Sequence, residues 1–360
     1  MWVLRMSERI KVFGCLNHLA NNFEMLKLAK TGRVKFSYLE NNVRRWSKWS
    51  ARPEPTTWLT EDEFEWVQHY EPGKYDIAIL HTDQQHVDPN IGKGQLYRQL
   101  NALIQDVPKI VINHGTPMWD DYFTEDRVIN GGSVFTPKGE RWLDGMKQLI
   151  GDNFMVVNSY EAVSRWGWGY PLIHGLDADE WVDLPKEPRV VLSLSPGGLD
   201  KYYNRELVTA IKGAVYERTH IDVQHINVNI KFERDNFTEY REFIGSSLIN
   251  ISPYRDSPMP RSRTEAMLSG SVVLSSKYHG AEDFIEQGVD GFILPDNPDS
   301  YAKCIEAILN DYRKALEIGQ RGKIKAQRLF SRERYQHDLM YIIEEVLAGR
   351  KPIWEGEKIW

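Results

Sequence analysis

The sequence predicts an α/β protein of two doubly wound domains, and three observations carry that expectation. Short apolar runs at 10–14, 75–81, 109–114 and 155–159 each lead into a polar loop, and the loops at 16–22 and 92–94 run on into helical patterns at 23–30 and 95–105, the strand–loop–helix order of a parallel α/β sheet. The chain has 360 residues, about twice an ordinary domain. The stretch 177–188 is acidic and bounded by Pro185 and Pro188, the composition of a linker, and a fresh strand pattern begins at Arg189. The expected division is 1–180 for the first domain, 186–335 for the second, and 336–360 for a last helix and tail packing back on the first.

In chain order, the loop at 16–22 holds Asn21 and Asn22, placed as a turn because asparagine tolerates left-handed geometry; they read equally as a polar turn with an N-cap. Residues 33–75 look irregular. Within them Arg44-Arg45-Trp46-Ser47-Lys48-Trp49 is either a basic-aromatic contact for an anionic membrane or acidic acceptor, or a solvated loop with inward tryptophans. Strand 109–114 ends in His114-Gly115, which places a histidine at the carboxyl edge of the sheet, where ligands of such folds lie. The bland alternative is a satisfied histidine in a turn. His81, ending the previous strand, is a weaker candidate. Residues 155–159 and 171–177 read as the last strands of the first domain.

The second domain opens with strand 189–194 and the loop Ser195-Pro196-Gly197-Gly198-Leu199-Asp200-Lys201. Gly198 allows close backbone approach, Lys201 suits phosphate oxygens, and Arg205 begins the following helix. A strand pattern within 220–230, a helix at 237–243 and a strand at 247–251 lead to the central element, 252–280. Pro258 and Pro260 hold its start extended. Ser262-x-x-Glu265 is a capping-box pattern that starts a helix, Gly270 ends it, and 272–274 is a buried strand. The helix N-terminus beside Arg255, Arg261 and Arg263 forms an anion site. Residues 291–294 read as a strand, and 300–310, 311–330 and 332–347 as amphipathic helices. Trp354 and Trp360 in the tail are expected to dock on the first domain.

Glu265-Ala266-Met267-x-x-Gly270-x-Val272-Val273, followed by His279-Gly280-Ala281-Glu282, resembles the donor-binding core of retaining GT-B glycosyltransferases of the group 1, family 4-like kind. That resemblance implies two Rossmann-like domains facing across a cleft. It implies a nucleotide sugar held by the second domain, its ribose by Glu265 and its diphosphate by Lys201, Arg205, Gly198, Gly280 and the N–H groups of Arg261 and Ser262. His114 matches the family histidine that contacts the donor sugar, and Asn21 and Asn22 stand in the place of a glycine pair. His174 stands where the family has asparagine. The family's first glutamate falls at Ser257, with Asp256 beside it, so one of these takes a reduced version of the sugar contact. Glu282 reads as a structural cap of a helix beginning at Gly280.

Implied with it are a UDP- or GDP-linked donor, retention of configuration, no metal and no other cofactor. The acceptor is a carbohydrate, a lipid-linked or another small molecule. Two other readings stay open: a nucleotide-sugar epimerase or hydrolase on this fold, and a non-catalytic binder. Net charge is −6, so there is no global basic field and nucleic acid is not an expected partner. No spacing of His, Cys or Asp suggests a metal site. Cys15 and Cys304, the only cysteines, are expected to be free thiols, and the localisation expected is cytoplasmic, with peripheral membrane contact through 44–49. No apolar run reaches membrane-span length and the N-terminus lacks a signal-peptide pattern.

Overall fold

The computed structural model describes residues 9–15, 19–40, 53–87, 94–117, 128–129, 132–133, 140–193, 205–226, 236–254, 259–277 and 280–358. The chain divides into two compact units, one of residues 1–175 and 332–358, the other of 176–331 with the last two residues. The boundary thus comes just before the acidic linker, where the expected division lay within it. The last helix spans Arg332–Leu347 as expected, and all of it falls in the first unit, whose second segment begins at 332 where the expected division stood at 336.

The first unit runs β1 (Ile10–Gly14), α1 (Leu19–Leu26), β2 (Val34–Leu39), β3 (Phe64–Val67), β4 (Ile77–Thr82), α2 (Gln95–Leu103) and β5 (Lys109–Asn113). A two-stranded antiparallel pair follows, β6 (Val128–Ile129) with β7 (Gly132–Ser133), then α3 (Glu140–Ile150), β8 (Phe154–Val157), α4 (Tyr160–Trp166) and β9 (Tyr170–Pro171). Its sheet is parallel with order β3-β2-β1-β4-β5-β8-β9. The order reverses between β1 and β4, which makes that edge the place where a doubly wound sheet takes ligands.

Both faces of this sheet are covered at its centre, so β4, β5 and β8 carry continuous apolar runs at 77–80, 110–112 and 154–157 instead of alternating. Val12, Ile77, Ile79, Ile110 and Ile112 face a cluster that includes Phe23, Leu26 and Leu28. Phe13, Ala78, Leu80, Val111 and Met155 face the other side with Leu100, Met146 and Trp166. The chain's last helix belongs to the first of these faces, through Tyr335, Leu339, Met340, Ile342, Ile343 and Val346. In the tail, the Trp354 ring stacks on Tyr160 with centroids 5.3 Å apart; Trp360 lies outside the described residues.

The second unit runs β10 (Glu187–Ser193), α5 (Arg205–Thr219), β11 (Val223–Ile226), α6 (Asn236–Ser246), β12 (Ser247–Ser252), α7 (Arg261–Leu268), β13 (Val272–Ser276), β14 (Phe292–Leu294), α8 (Pro298–Asn310) and α9 (Tyr312–Leu329). The returning helix is α10 (Arg332–Leu347). The parallel sheet has order β11-β10-β12-β13-β14, with its reversal between β10 and β12. Leu207, Ile211 and Val215 of α5 and Tyr301, Ile305 and Ile308 of α8 close one core over Val190, Leu192, Ile249, Val272 and Leu274.

Several local expectations are corrected. Asn21 and Asn22 do not form a turn: they lie inside α1, which starts at Leu19, while a 3₁₀ turn, Lys27–Thr31, replaces the expected end of that helix. Residues 33–75 are not irregular throughout. β2 and β3 extend the sheet there, with Val34, Phe36, Tyr38 and Phe64 buried. Of 171–177 only Pro171 is in a strand. Gly280, at φ +65°, opens a three-residue 3₁₀ turn, Ala281–Asp283, rather than a helix. The basic-aromatic stretch 44–49 lies outside the described residues, as do Gly198, Lys201, Arg255, Asp256 and Ser257. Among the described residues, no helix is long and apolar enough to cross a membrane.

Candidate nucleotide-sugar site

The site in the second unit is built around α7. Its N-cap is Pro260, which has no side chain to bond the first turn, and the helix starts at Arg261. The capping-box reading is therefore overturned. Ser262 is the second helical residue, and its Oγ pairs with the Tyr254 hydroxyl at 2.5 Å. The Glu265 carboxylate points to side chains instead of back to the cap.

At its other end α7 closes with a Schellman pair. Gly270 N–H donates to Met267 O at 2.9 Å and Ser271 N–H to Ala266 O at 3.0 Å, with Gly270 at φ +72°. Only glycine takes that backbone angle cheaply. A Cβ there would also lie 2.8 Å from Asp183 Oδ1.

Glu265 is 8% exposed. Arg261 Nε donates to its Oε1 at 3.0 Å, one turn before it on the same helix. The Tyr240 hydroxyl, from α6, donates to its Oε2 at 2.9 Å. Tyr240 in turn pairs with Ser193 Oγ at 2.6 Å. Ser193 is the last residue of β10, so the chain Ser193–Tyr240–Glu265 ties the carboxylate to a strand end beside the β10/β12 reversal. Burial, and after it the Glu265 carboxylate, hold the Tyr240 phenol well above the usual tyrosine pKa. It therefore stays a proton donor throughout the neutral range. Each carboxylate oxygen has two acceptor directions, so Glu265 keeps the capacity for one further hydrogen bond per oxygen.

Of the three arginines expected around the helix N-terminus, Arg255 lies outside the described residues and the other two separate. Arg261 is half-buried beside Glu265. Arg263 is 1% exposed, and its guanidinium lies against Met259 Sδ at 3.5 Å and 5.8 Å from the Phe284 ring centroid. It is a core residue, which removes it from the anion site. Arg205 is exposed at the first turn of α5.

In the first unit, His81 ends on β4 and His114 follows β5. His81 Nδ1 and His114 Nε2 lie 2.8 Å apart, with the ring planes within 5° of parallel. His114 N–H donates to Thr82 O at 2.9 Å, and its carbonyl accepts from Asn158 Nδ2 at 3.3 Å. Gly115 allows the close pass of Gln84, whose Oε1 would sit 1.6 Å from a Cβ at that position. His81, ranked below His114 in the sequence, is in contact with it, while Tyr240, Ser193 and Tyr254 were not picked out. A lone tyrosine in an amphipathic helix carries no local mark of its partner.

Residues 203–325 match the family described as glycosyl transferases group 1. The matched segment contains all of α5 to α8 and with them Tyr240, Arg261 and Glu265. A 107-residue stretch is 28% identical to spore coat protein SA of Bacillus subtilis (strain 168); it spans 29% of this chain and 28% of that protein's length.

Among solved structures, sucrose-phosphate synthase from Thermosynechococcus elongatus is similar with a TM-score of 0.63 at 13% identity, over 95% of this chain and 100% of that one. Anabaena HepE in complex with UDP-glucose is similar with a TM-score of 0.61 at 14% identity, over 94% and 100%. At such identities the likeness concerns the fold: two parallel-sheet domains like those of GT-B glycosyltransferase structures.

Proposed function

We propose that this protein is a glycosyl transferase of the group 1 kind that moves a sugar from a UDP- or GDP-linked donor to a small acceptor, with retention and without a metal. The observation that supports this most is the buried Glu265 carboxylate, held by Arg261 and Tyr240 at a strand end inside the family-matched segment. HepE, similar in fold, has been solved in complex with UDP-glucose. In this reading Glu265 accepts hydrogen bonds from the nucleotide ribose. Lys201, Arg205, Arg261, the N–H groups of Arg261 and Ser262, and the backbone at Gly198 and Gly280 meet the diphosphate. Fixed donors of this kind offset charge that develops on the leaving group.

In the proposed reaction the acceptor oxygen attacks the anomeric carbon from the face the diphosphate leaves. The bond from that carbon to the diphosphate oxygen breaks, and the departing oxygen takes the acceptor's proton. No protein nucleophile is required. His114 is assigned the sugar contact, and Asp256 or Ser257 the reduced counterpart of the family's first glutamate. Asn21 and Asn22, in the first turn of α1, keep their proposed place among the donor contacts. A cytoplasmic setting is part of the same proposal.

The test is calorimetry with UDP and GDP, followed by release of nucleoside diphosphate with and without sugar acceptors. Acceptor-dependent release supports transfer. Release without any acceptor indicates a hydrolase. Ser257, in place of a glutamate, favours one second reading, a nucleotide-sugar binder without turnover; binding with no release across a broad acceptor panel would establish it. If Asp256→Ala and Ser257→Ala both match wild type in turnover, their assignment is wrong. His114→Ala is expected to lower turnover more than affinity.

A further inference from the structure

We infer that His81 is a positioning residue that fixes the ring orientation and tautomer of His114, which deepens the sugar-contact role proposed for His114 and rests on it. The backbone of His114 is pinned on both sides, its N–H on Thr82 O at 2.9 Å and its carbonyl under Asn158 Nδ2 at 3.3 Å. Those bonds place the Cα and do not by themselves set the ring. The 2.8 Å contact from His114 Nε2 to His81 Nδ1 ties the ring directly to β4.

The contact also couples the protons. A hydrogen bond between two imidazoles needs one N–H and one lone pair, so a single proton lies between the rings. If His81 supplies it, His114 carries its own proton on Nδ1. If His114 supplies it, Nδ1 of His114 is an acceptor. Either way the partner decides what His114 offers to a sugar hydroxyl. His81 is itself immobile: it sits in β4, paired to Ile112 of β5 in the register that sets the two strand ends side by side, and it is 5% exposed.

The test compares wild type with His81→Phe and His81→Asn. Phenylalanine keeps a ring of similar size without nitrogen. Asparagine returns a polar atom close to the place of Nδ1. Turnover in His81→Phe is expected to fall about tenfold, as misplacement of a reacting group would give, with UDP affinity and the thermal midpoint near wild type. His81→Asn is expected to recover most of the loss.

Nitrogen-15 shifts of the His114 ring, assigned by comparison with His114→Asn, are expected to move in His81→Phe and return toward wild type in His81→Asn. Unchanged His114 shifts in His81→Phe would overturn the inference, and so would equal turnover losses in both variants. Absence of sugar transfer by wild type would instead refute the glycosyltransferase reading, and the ring shifts would still decide whether His81 sets the tautomer.

Discussion

Tyr240 and Glu265 meet at 2.9 Å, the phenol donating to Oε2 of the carboxylate, and the same phenol pairs with Ser193 at the end of β10. The bond joins two helices, α6 and α7, at the point where the second sheet reverses its strand order. Tyr240→Phe removes one buried donor and little volume. It leaves Glu265 with Arg261 alone and Ser193 without its partner. UDP affinity is expected to fall about tenfold, the worth of a hydrogen bond to a charged group, with the fold intact by circular dichroism. Calorimetry reads the first and an unaltered far-UV spectrum the second; wild-type affinity would show that Tyr240 does not position the carboxylate.

Asp183 accepts from Lys186 at 2.9 Å, Lys323 at 3.0 Å and Gln320 at 2.6 Å. The Lys186 side chain is 3% exposed, and its ammonium also donates to Gly245 O at 2.5 Å and to Ser269 O, so it joins the ends of α6 and α7. Burial lowers the Lys186 pKa while Asp183 counters it. Asp183→Asn strands a buried cation, and the expected cost is about 3 kcal/mol in denaturant unfolding. Asp299→Asn, which breaks exposed pairs with Arg218 and Lys303, is expected to leave stability near wild type. Equal effects of the two would contradict the argument.

Alkaline pH is expected to unfold the protein through buried phenols. Burial, more than neighbouring charge, raises Tyr38 and Tyr240 well above the tyrosine value of 10.0. A phenol with a raised folded pKa binds its proton more tightly folded than unfolded. Its contribution is complete below about pH 10 and is lost as pH climbs from there toward the folded value. The melting midpoint should therefore drop above about pH 10, with part of the phenolate absorbance appearing only as tertiary structure is lost. Reversible titration of every tyrosine with native near-UV signal would count against this.

Much of the fold was legible because parallel strands buried on both faces read as continuous apolar runs. IAIL at 77–80 and KIVIN at 109–113 are such runs, and both are strands. β2 was missed because Lys35 and Ser37 break the apolar sequence, although Val34, Phe36 and Tyr38 all point into one cluster. The start of α7 was misread because Ser262 has the composition of a cap. Pro260 takes the cap position instead, and the hydroxyl is spent on Tyr254. Glu265 was found from local spacing. Its partners were not, since Ser193 and Tyr240 lie 72 and 25 residues away and only the sheet order brings them together.

The most direct measurement is UDP titration of wild type and Glu265→Ala by calorimetry, with GDP in parallel. The account predicts saturable binding of one nucleotide diphosphate by wild type and an affinity at least about tenfold weaker in the variant, as loss of a charged ribose acceptor would give. Undiminished binding by Glu265→Ala, or no binding of either nucleotide by wild type, would contradict it.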